Sequence, residues 1–132
     1  MINYIPFKKT GYFSEFITDY LAQKAELRCL YHRFPLATNF PVQIKEKQAH
    51  YSAENRNILA EALERQYKNL SISKKTYQNI EAIRQENTFT VTTGHQLSLF
   101  TGPLYFIYKI VTTIVSCEQL KKLYPQYNFV PI

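Results

Sequence analysis

Glycine is unusually scarce in this chain: only 3 of its 132 residues are glycine, whereas about 7% is typical of proteins. This scarcity excludes collagen-like and glycine-rich low-complexity structures, and the phosphate-binding patterns GxGxxG and GxxxxGKS/T are absent. A chain with so few glycines is expected to use them where the backbone requires one. Gly94 and Gly102 lie close together, so residues 90–103 are the first segment to search for a site.

Cysteine and dense charge clusters are also scarce. Cys29 and Cys117 stand far apart with no CxxC or Cys/His spacing, which predicts no metal site and favours buried, reduced thiols in the cytoplasm. The formal net charge is +6, but the excess is spread along the chain and its densest features are pairs such as Lys74-Lys75. Nucleic-acid-binding proteins usually gather Lys and Arg on one face, so no specific nucleic-acid interface is predicted.

Uninterrupted hydrophobic runs of membrane-spanning length are not found either. Residues 97–117 are strongly apolar, but Gly102-Pro103 and Lys109 interrupt them, which favours a buried helix behind a loop over a membrane span. The N-terminus has no basic region followed by an apolar run, so no signal peptide is predicted.

Helical periodicity dominates the first 87 residues, which we interpret as a helical N-terminal region. Prolines at 35–41 break the pattern. The predicted helical segments are 13–34 as one or two helices, 42–48, about 53–70 with Ser52 as N-cap, and about 74–84 with Ser73 as N-cap.

The apolar spacing also predicts which side of each helix faces the core. The expected inward residues are Leu59, Ala62, Leu63, Tyr67 and Leu70 on the third predicted segment, and Tyr77, Ile80 and either Ile83 or Arg84 on the fourth. On this pattern Arg56 is expected at the solvated surface of its helix.

The pattern changes after Asn87. Residues 88–93 are β-branched and aromatic and predict a strand, and residues 127–132 predict a second one. Between them Pro103 is expected as the first residue of a helix that reaches about Leu123. This helix is apolar nearly all round, which is typical of a helix covered on both sides. The order strand–loop–helix–strand predicts an α/β fold with a parallel sheet.

A sheet of two strands is expected to need further strands for stability. We therefore predict two regions, a helical region over 1–87 and the incomplete start of a parallel-sheet core over 88–132, within the N-terminal part of a longer protein.

The loop after the first strand is the main candidate site. Ligands of parallel sheets bind beyond the carboxyl ends of the strands, where the sequence here is Thr92-Thr93-Gly94-His95-Gln96. The backbone amides of Gly102, Leu104 and Tyr105, at the positive end of the following helix, suit a phosphate or carboxylate. The alternative interpretation is a polar strand-to-helix turn with structural glycines.

Two side chains of this region have open roles. His95 could act in acid–base chemistry, in binding or in structure, and the sequence identifies no partner for it. Lys109 could reach a ligand or a buried carboxylate, or its side chain could extend to the surface. His32 and His50 are expected to be ordinary surface or satisfied residues.

Residues 92–109 read TTGHQLSLFTGPLYFIYK. This run resembles the signature of the bacillithiol biosynthesis cysteine-adding enzymes (the BshC family), whose members carry a TG(Q/H)QxxLFTGPLY segment followed by a Tyr-Lys helix. The resemblance extends upstream through Asn55-Arg56 and downstream to the strand Tyr127–Pro131, which in the family leads into an acidic segment.

The resemblance implies a Rossmann-like core similar to nucleotidyltransferases, preceded by helices. It implies a ligase that joins L-cysteine to the amine of glucosaminyl malate, with His95 as the catalytic candidate, although Gln is common at this position in the family. The residues implied to bind substrate or nucleotide are Thr93, Gly94, Gln96, Gly102, Pro103 and Lys109. The activating cofactor is not identified, and a nucleotide such as ATP or ADP is the candidate.

The family resemblance further implies a cytoplasmic homodimer with a C-terminal coiled coil that lies outside these 132 residues. The chain alone is therefore expected to be inactive. A noncatalytic module that binds an anion, a nucleotide or another protein is the alternative function, and a basic nucleic-acid-associated domain comes third.

Overall fold

The structure is a computed structural model that describes residues 3–96 and 98–132, so Leu97 of the predicted loop lies outside the described residues, as do Met1 and Ile2. The helices are α1 (Phe7–Thr10), α2 (Glu15–Leu21), α3 (Phe40–His50), α4 (Ala53–Tyr67), α5 (Lys74–Ile83) and α6 (Leu104–Leu123). The strands are β1 (Thr88–Val91) and β2 (Asn128–Pro131), and 3₁₀ turns cover Ala25–Leu30, Ala37–Asn39 and Leu99–Thr101.

The chain forms two compact units, one up to Gln43 and one from Ile44 onward. The second unit combines α4 and α5 with the sheet and α6. The predicted division after residue 87 follows the change from helix to strand and stays a prediction about domain organisation.

Aromatic contacts organise the first unit. The ring centroid of Tyr20, on α2, lies 5.2 Å from that of Tyr31 and 5.1 Å from that of Phe34. The predicted helical segment before Phe34 is α2 followed by the 3₁₀ turn Ala25–Leu30. No residue between positions 3 and 43 is buried, so this unit has little core of its own.

Serine caps fix the starts of α4 and α5, as predicted. Ser52 Oγ accepts the Asn55 N–H at 3.2 Å, and Ser73 Oγ accepts the Thr76 N–H at 3.0 Å. Each cap satisfies one of the amides that a helix N-terminus leaves without an intrahelical partner.

The two strands pair in parallel, as predicted, with Thr88 opposite Asn128 and Val91 opposite Pro131. The ladder continues past β1, since the Thr93 N–H donates to the Ile132 carbonyl at 2.8 Å. α6 makes the crossover between the strands and packs on the sheet. The fold class is therefore α/β, and the carboxyl end of β1 opens into the candidate loop.

The core of the second unit lies between α4, α5, α6 and the sheet. Its buried apolar residues are Ile44, Ala60, Ile80, Ile83, Cys117, Leu120 and Val130. The predicted inward positions Leu70 and Tyr77 are wrong, because their side chains are 61% and 55% exposed. α4 ends at Tyr67, which leaves Leu70 beyond the helix, and α5 turns Ile80 and Ile83 inward instead of Tyr77.

α6 is covered on one side only, which differs from the expectation for a helix apolar nearly all round. Thr113, Cys117 and Leu120 are its buried residues, whereas apolar side chains such as Val111 and Leu104 are exposed. The two-stranded sheet provides a single layer for the helix to pack on. Burial is confirmed for Cys117 and wrong for Cys29, which is exposed in the small first unit.

Candidate functional site

The candidate site lies where β1 passes through residues 92–96 and a 3₁₀ turn into α6. Pro103 is the N-cap of α6, with ψ 155°, and the helix begins at Leu104. The predicted helix start is therefore displaced by a single residue. The proline ring fixes φ at the entrance to the helix, where a missing N–H has no cost.

His95 is held by hydrogen bonds at both ring nitrogens. Nδ1 lies 2.6 Å from the Gln96 carbonyl oxygen, and Nε2 lies 2.7 Å from the Tyr105 hydroxyl. A carbonyl oxygen only accepts, so Nδ1 carries the proton and donates it. In the neutral imidazole Nε2 then accepts the O–H of Tyr105.

Tyr105 is the residue that sequence reasoning missed. The sequence predicts a role for its backbone amide, whereas its side chain provides the partner that His95 lacks in the local sequence. The available signal was a tyrosine in the first turn of a helix that begins directly after a histidine-containing loop. The loop must fold back onto that turn before the two side chains meet.

The side chain of Lys109 turns toward the loop after β1. Its Nζ donates to the Gly94 carbonyl at 3.1 Å, and the ammonium lies 5.7 Å from the ring centroid of Tyr105. A lysine near a ring face is attracted by the π-electrons. Lys109 thus adds positive charge beside the His95–Tyr105 pair.

The two glycines of the loop lie in different surroundings. Gly102 has φ +65°, and a Cβ there would lie 2.6 Å from the Cβ of Ser98, so both backbone conformation and close approach require glycine. At Gly94 no heavy atom lies within 4 Å of an added Cβ, and its φ is not in the left-handed region. Gly94 therefore leaves open space beside the loop.

One of the three predicted amide donors is already used. The Gly102 N–H donates to the Leu99 carbonyl at 3.0 Å, so that expectation is wrong. Leu104 and Tyr105 occupy the first helical turn, whose amides have no intrahelical acceptor, and that turn contains no acidic residue. The end of α6 therefore suits the negative charge of a phosphate or carboxylate.

A cavity of about 470 Å³ adjoins this arrangement. Its lining brings together two of the predicted site residues, Thr93 and Lys109, with Tyr105. Gln96 is exposed and takes part through its carbonyl, and Pro103 stands exposed at the mouth of α6. His95 is half-buried behind Tyr105 rather than at the cavity wall.

Arg56 contradicts the expectation of a solvated surface residue, because only 4% of it is exposed. Its guanidinium donates to the carbonyls of Ile83 at 3.1 Å, Thr88 at 2.8 Å and Glu86 at 3.3 Å. These bonds connect α4 to the end of α5 and to the start of β1. The carbonyls belong to a turn distant in sequence, so the helical pattern alone does not reveal them.

Residues 3–96 and 98–132 contain neither a metal-binding cluster nor a membrane-spanning helix. No group of three or more His, Cys, Asp or Glu side chains is arranged to hold a metal ion in this part of the chain. Within the same residues, the helices fall short of the length and apolar character that crossing a membrane requires.

Comparison with known proteins identifies relatives over the whole chain. The family model for the N-terminal Rossmann-like domain of the bacillithiol biosynthesis protein BshC matches residues 1–132. Proteins from Flavobacterium johnsoniae and Flavobacterium psychrophilum, each named "Putative cysteine ligase BshC", are 54% and 55% identical over 97% of this chain. A relative of the same name from Cytophaga hutchinsonii is 42% identical over 91% of the chain.

The chain spans about a quarter of the length of these relatives, 24% of each Flavobacterium protein and 23% of the Cytophaga protein. No solved structure matches the chain. The matches confirm the resemblance and the Rossmann-like character of the fold.

Proposed function

The chain belongs to the bacillithiol biosynthesis BshC family, and we propose that it forms the N-terminal part of a ligase that joins L-cysteine to glucosaminyl malate. The observation that carries this proposal is the hydrogen-bonded set His95–Tyr105 with Lys109, located at the carboxyl end of β1. The 132 residues alone are proposed to be inactive.

The predicted site residues have distinct roles in this proposal. Thr93 and Lys109 contribute to the cavity that receives substrate or nucleotide. Gly94 leaves space for close approach of the ligand, and Gly102 with Pro103 sets the entrance to α6. Gln96 orients His95 through its carbonyl.

Amide formation requires a group that accepts a proton. The amine nitrogen of glucosaminyl malate bonds to the activated carboxyl carbon of cysteine, the bond from that carbon to its leaving group breaks, and the nitrogen loses a proton. The Tyr105 hydroxyl accepts this proton and passes its own to His95 Nε2, which gives an imidazolium held by the Gln96 carbonyl. Lys109 stabilises negative charge beside the reacting carboxyl group.

The residues present also fit a nucleotide phosphate. A phosphate group needs hydrogen-bond donors and space. The donors are the first-turn amides of Leu104 and Tyr105 and the ammonium of Lys109, and the space is beside Gly94. A bound nucleotide with a transferable phosphoryl or nucleotidyl group would supply the activation of a carboxyl group that ligation requires. ATP or ADP is the cofactor class we propose.

The test uses the complete polypeptide that the gene encodes, with L-cysteine, glucosaminyl malate and ATP, and measures the ligated product by mass spectrometry. We expect product with the native protein and a loss of about 10²–10⁴-fold in kcat for His95→Ala, which removes both the proton acceptor and the hydrogen bond to Tyr105. His95→Gln is the companion variant, because it introduces the residue that is common in the family, which can still bond to the Tyr105 hydroxyl but cannot take up the proton.

Two results would contradict the proposal. Full activity of His95→Gln together with inactivity of His95→Ala would mean that His95 positions Tyr105 and does not take up the proton. Binding of nucleotide without any product in the native protein would instead favour the alternative, a noncatalytic anion- or nucleotide-binding module.

We propose the remaining properties from the sequence pattern and the family resemblance. These are a cytoplasmic location, a homodimer formed by the complete polypeptide through a coiled coil, and the absence of specific nucleic-acid or membrane partners. Size-exclusion chromatography with light scattering tests the dimer, and a salt-dependent shift of DNA or RNA mobility would argue against the last statement.

A further inference from the structure

A buried arginine lies beside a second cavity, away from the candidate site. Arg56 is 4% exposed, and its guanidinium is in contact with the rings of Tyr51 and Phe89, whose centroids lie 5.3 and 5.8 Å from its central carbon. Among residues 3–96 and 98–132 no carboxylate forms an ion pair with it. A positive charge is thus buried without a negative partner in the described part of the chain.

Burial of an unpaired charge is costly unless hydrogen bonds and dipoles compensate it. Three backbone carbonyls accept from the two terminal nitrogens of Arg56. The Nε–H has no acceptor, although it is fully buried. The compensation is therefore incomplete in both charge and hydrogen bonding.

The cavity beside Arg56 has a volume of about 330 Å³. Lys47 adds a second positive charge to its lining, and no acidic residue takes part. Thr90 also lines the cavity. The carbonyls of Asn87 and Val91 accept hydrogen bonds from β2, and in a parallel pair every second residue of a strand faces the same neighbour. Thr90 lies at an even position between them, so its backbone N–H points to the other edge of β1, which has no partner strand among the described residues.

We propose that this cavity binds a small oxyanion, a phosphate or carboxylate group of a ligand. Lys47 and the Thr90 N–H hold the anion directly, and Arg56 supplies the buried countercharge. Phosphate and carboxylate oxygens are the partners that guanidinium and ammonium groups prefer. The site is separate from the loop of His95 and does not depend on the proposed ligase activity.

The experiment titrates inorganic phosphate, and malonate in a second series, into the complete polypeptide by calorimetry at constant ionic strength. We expect saturable binding that Lys47→Gln weakens by at least ~10-fold, since it removes a charged hydrogen bond. Lys45→Gln is the matched control: it removes the same charge from the same helix but lies outside the cavity lining, and binding should change less than about twofold.

Crystals soaked with selenate locate the anion by its anomalous scattering. A peak between Lys47 and Thr90 is expected. No saturable phosphate or malonate binding, equal effects of the two lysine variants, or a peak only at Lys109 would each overturn the proposal. If the cavity is filled by another part of the complete polypeptide, neither anion binds, which overturns it as well.

Discussion

The Tyr105 hydroxyl lies 2.7 Å from His95 Nε2, and the carbonyl of Gln96 holds the opposite ring nitrogen at 2.6 Å. This pair of bonds fixes the tautomer of His95 and makes Tyr105 the group through which the histidine reaches the cavity. The arrangement joins the loop after β1 to the first turn of α6.

Tyr105→Phe should therefore lower kcat in the complete polypeptide by about 10²–10⁴-fold, because the hydroxyl proposed to take up the proton is lost. The thermal midpoint should change little, since the side chain is 54% exposed. Tyr77→Phe is the control, as Tyr77 is similarly exposed on α5. Equal activity of the two variants would show that Tyr105 has no part in the reaction.

Gly102→Ala and Gly94→Ala form a second test of the loop. A Cβ at Gly102 meets Ser98 at 2.6 Å and needs φ +65°, so we expect a loss of about 1–3 kcal/mol in the free energy of unfolding. Gly94→Ala should leave stability within about 0.5 kcal/mol and weaken nucleotide binding instead. Chemical denaturation and calorimetry separate the two effects, and a Gly94→Ala variant with native nucleotide affinity would remove Gly94 from the site.

Arg56→Met should destabilise the protein by about 3 kcal/mol, because it leaves buried carbonyl oxygens of Ile83 and Thr88 without a donor. Arg65→Met is the matched control on the same helix, since Arg65 is exposed. Urea unfolding followed by circular dichroism measures both variants. Equal midpoints would mean that the three carbonyl bonds add nothing to stability.

The ion pair between Glu64 and Arg84 predicts an acid-sensitive contribution to stability. The Arg84 guanidinium, 2.6 Å from the carboxylate, lowers the pKa of Glu64 below its ordinary value of 4.5. A lowered pKa in the folded state means that the stabilisation is fully present above pH about 4.5 and is lost as the pH falls through the lower folded value.

Glu64→Gln should accordingly narrow the difference in the free energy of unfolding between pH 7 and pH 3. Thermal unfolding at the two pH values measures the difference. A pH dependence that is the same in Glu64→Gln and the native protein would contradict the role of the ion pair.

The two cysteines should differ in reactivity toward a thiol reagent. Cys29 is exposed, whereas burial, with a smaller effect of Glu118, raises the pKa of the Cys117 thiol. Because the thiolate is the reactive form, we expect one thiol to react in native protein and the second only in denaturant. In Cys29→Ser the rapid phase should vanish, and its survival would mean that Cys117 is accessible.

Much of the fold follows from the sequence. Ser52 and Ser73 cap the starts of helices because the side-chain oxygen of a serine can accept a hydrogen bond from the backbone N–H three residues later. The parallel pairing of β1 and β2 follows from a crossover helix between them. The caps depend on residues close in sequence, and the pairing depends on the order of elements along the chain, so the sequence pattern was sufficient to predict both.

The segment that contains the candidate site was also determined by the sequence. The scarcity of glycine and the distinctive run over 92–109 predict a site that includes Gly94, His95 and Gly102. The family match over residues 1–132 agrees with that run.

Only the tertiary structure decided which groups meet. The partner of His95, the turn of Lys109 toward the Gly94 carbonyl and the burial of Arg56 under Tyr51 all depend on elements brought together by folding. Helical periodicity predicts which side of a helix is apolar. An arginine can nevertheless lie on the buried side when carbonyls distant in sequence accept hydrogen bonds from its guanidinium. The sequence thus determined the segment in which the candidate site lies, and the packing of α6 on the sheet determined which of its side chains meet.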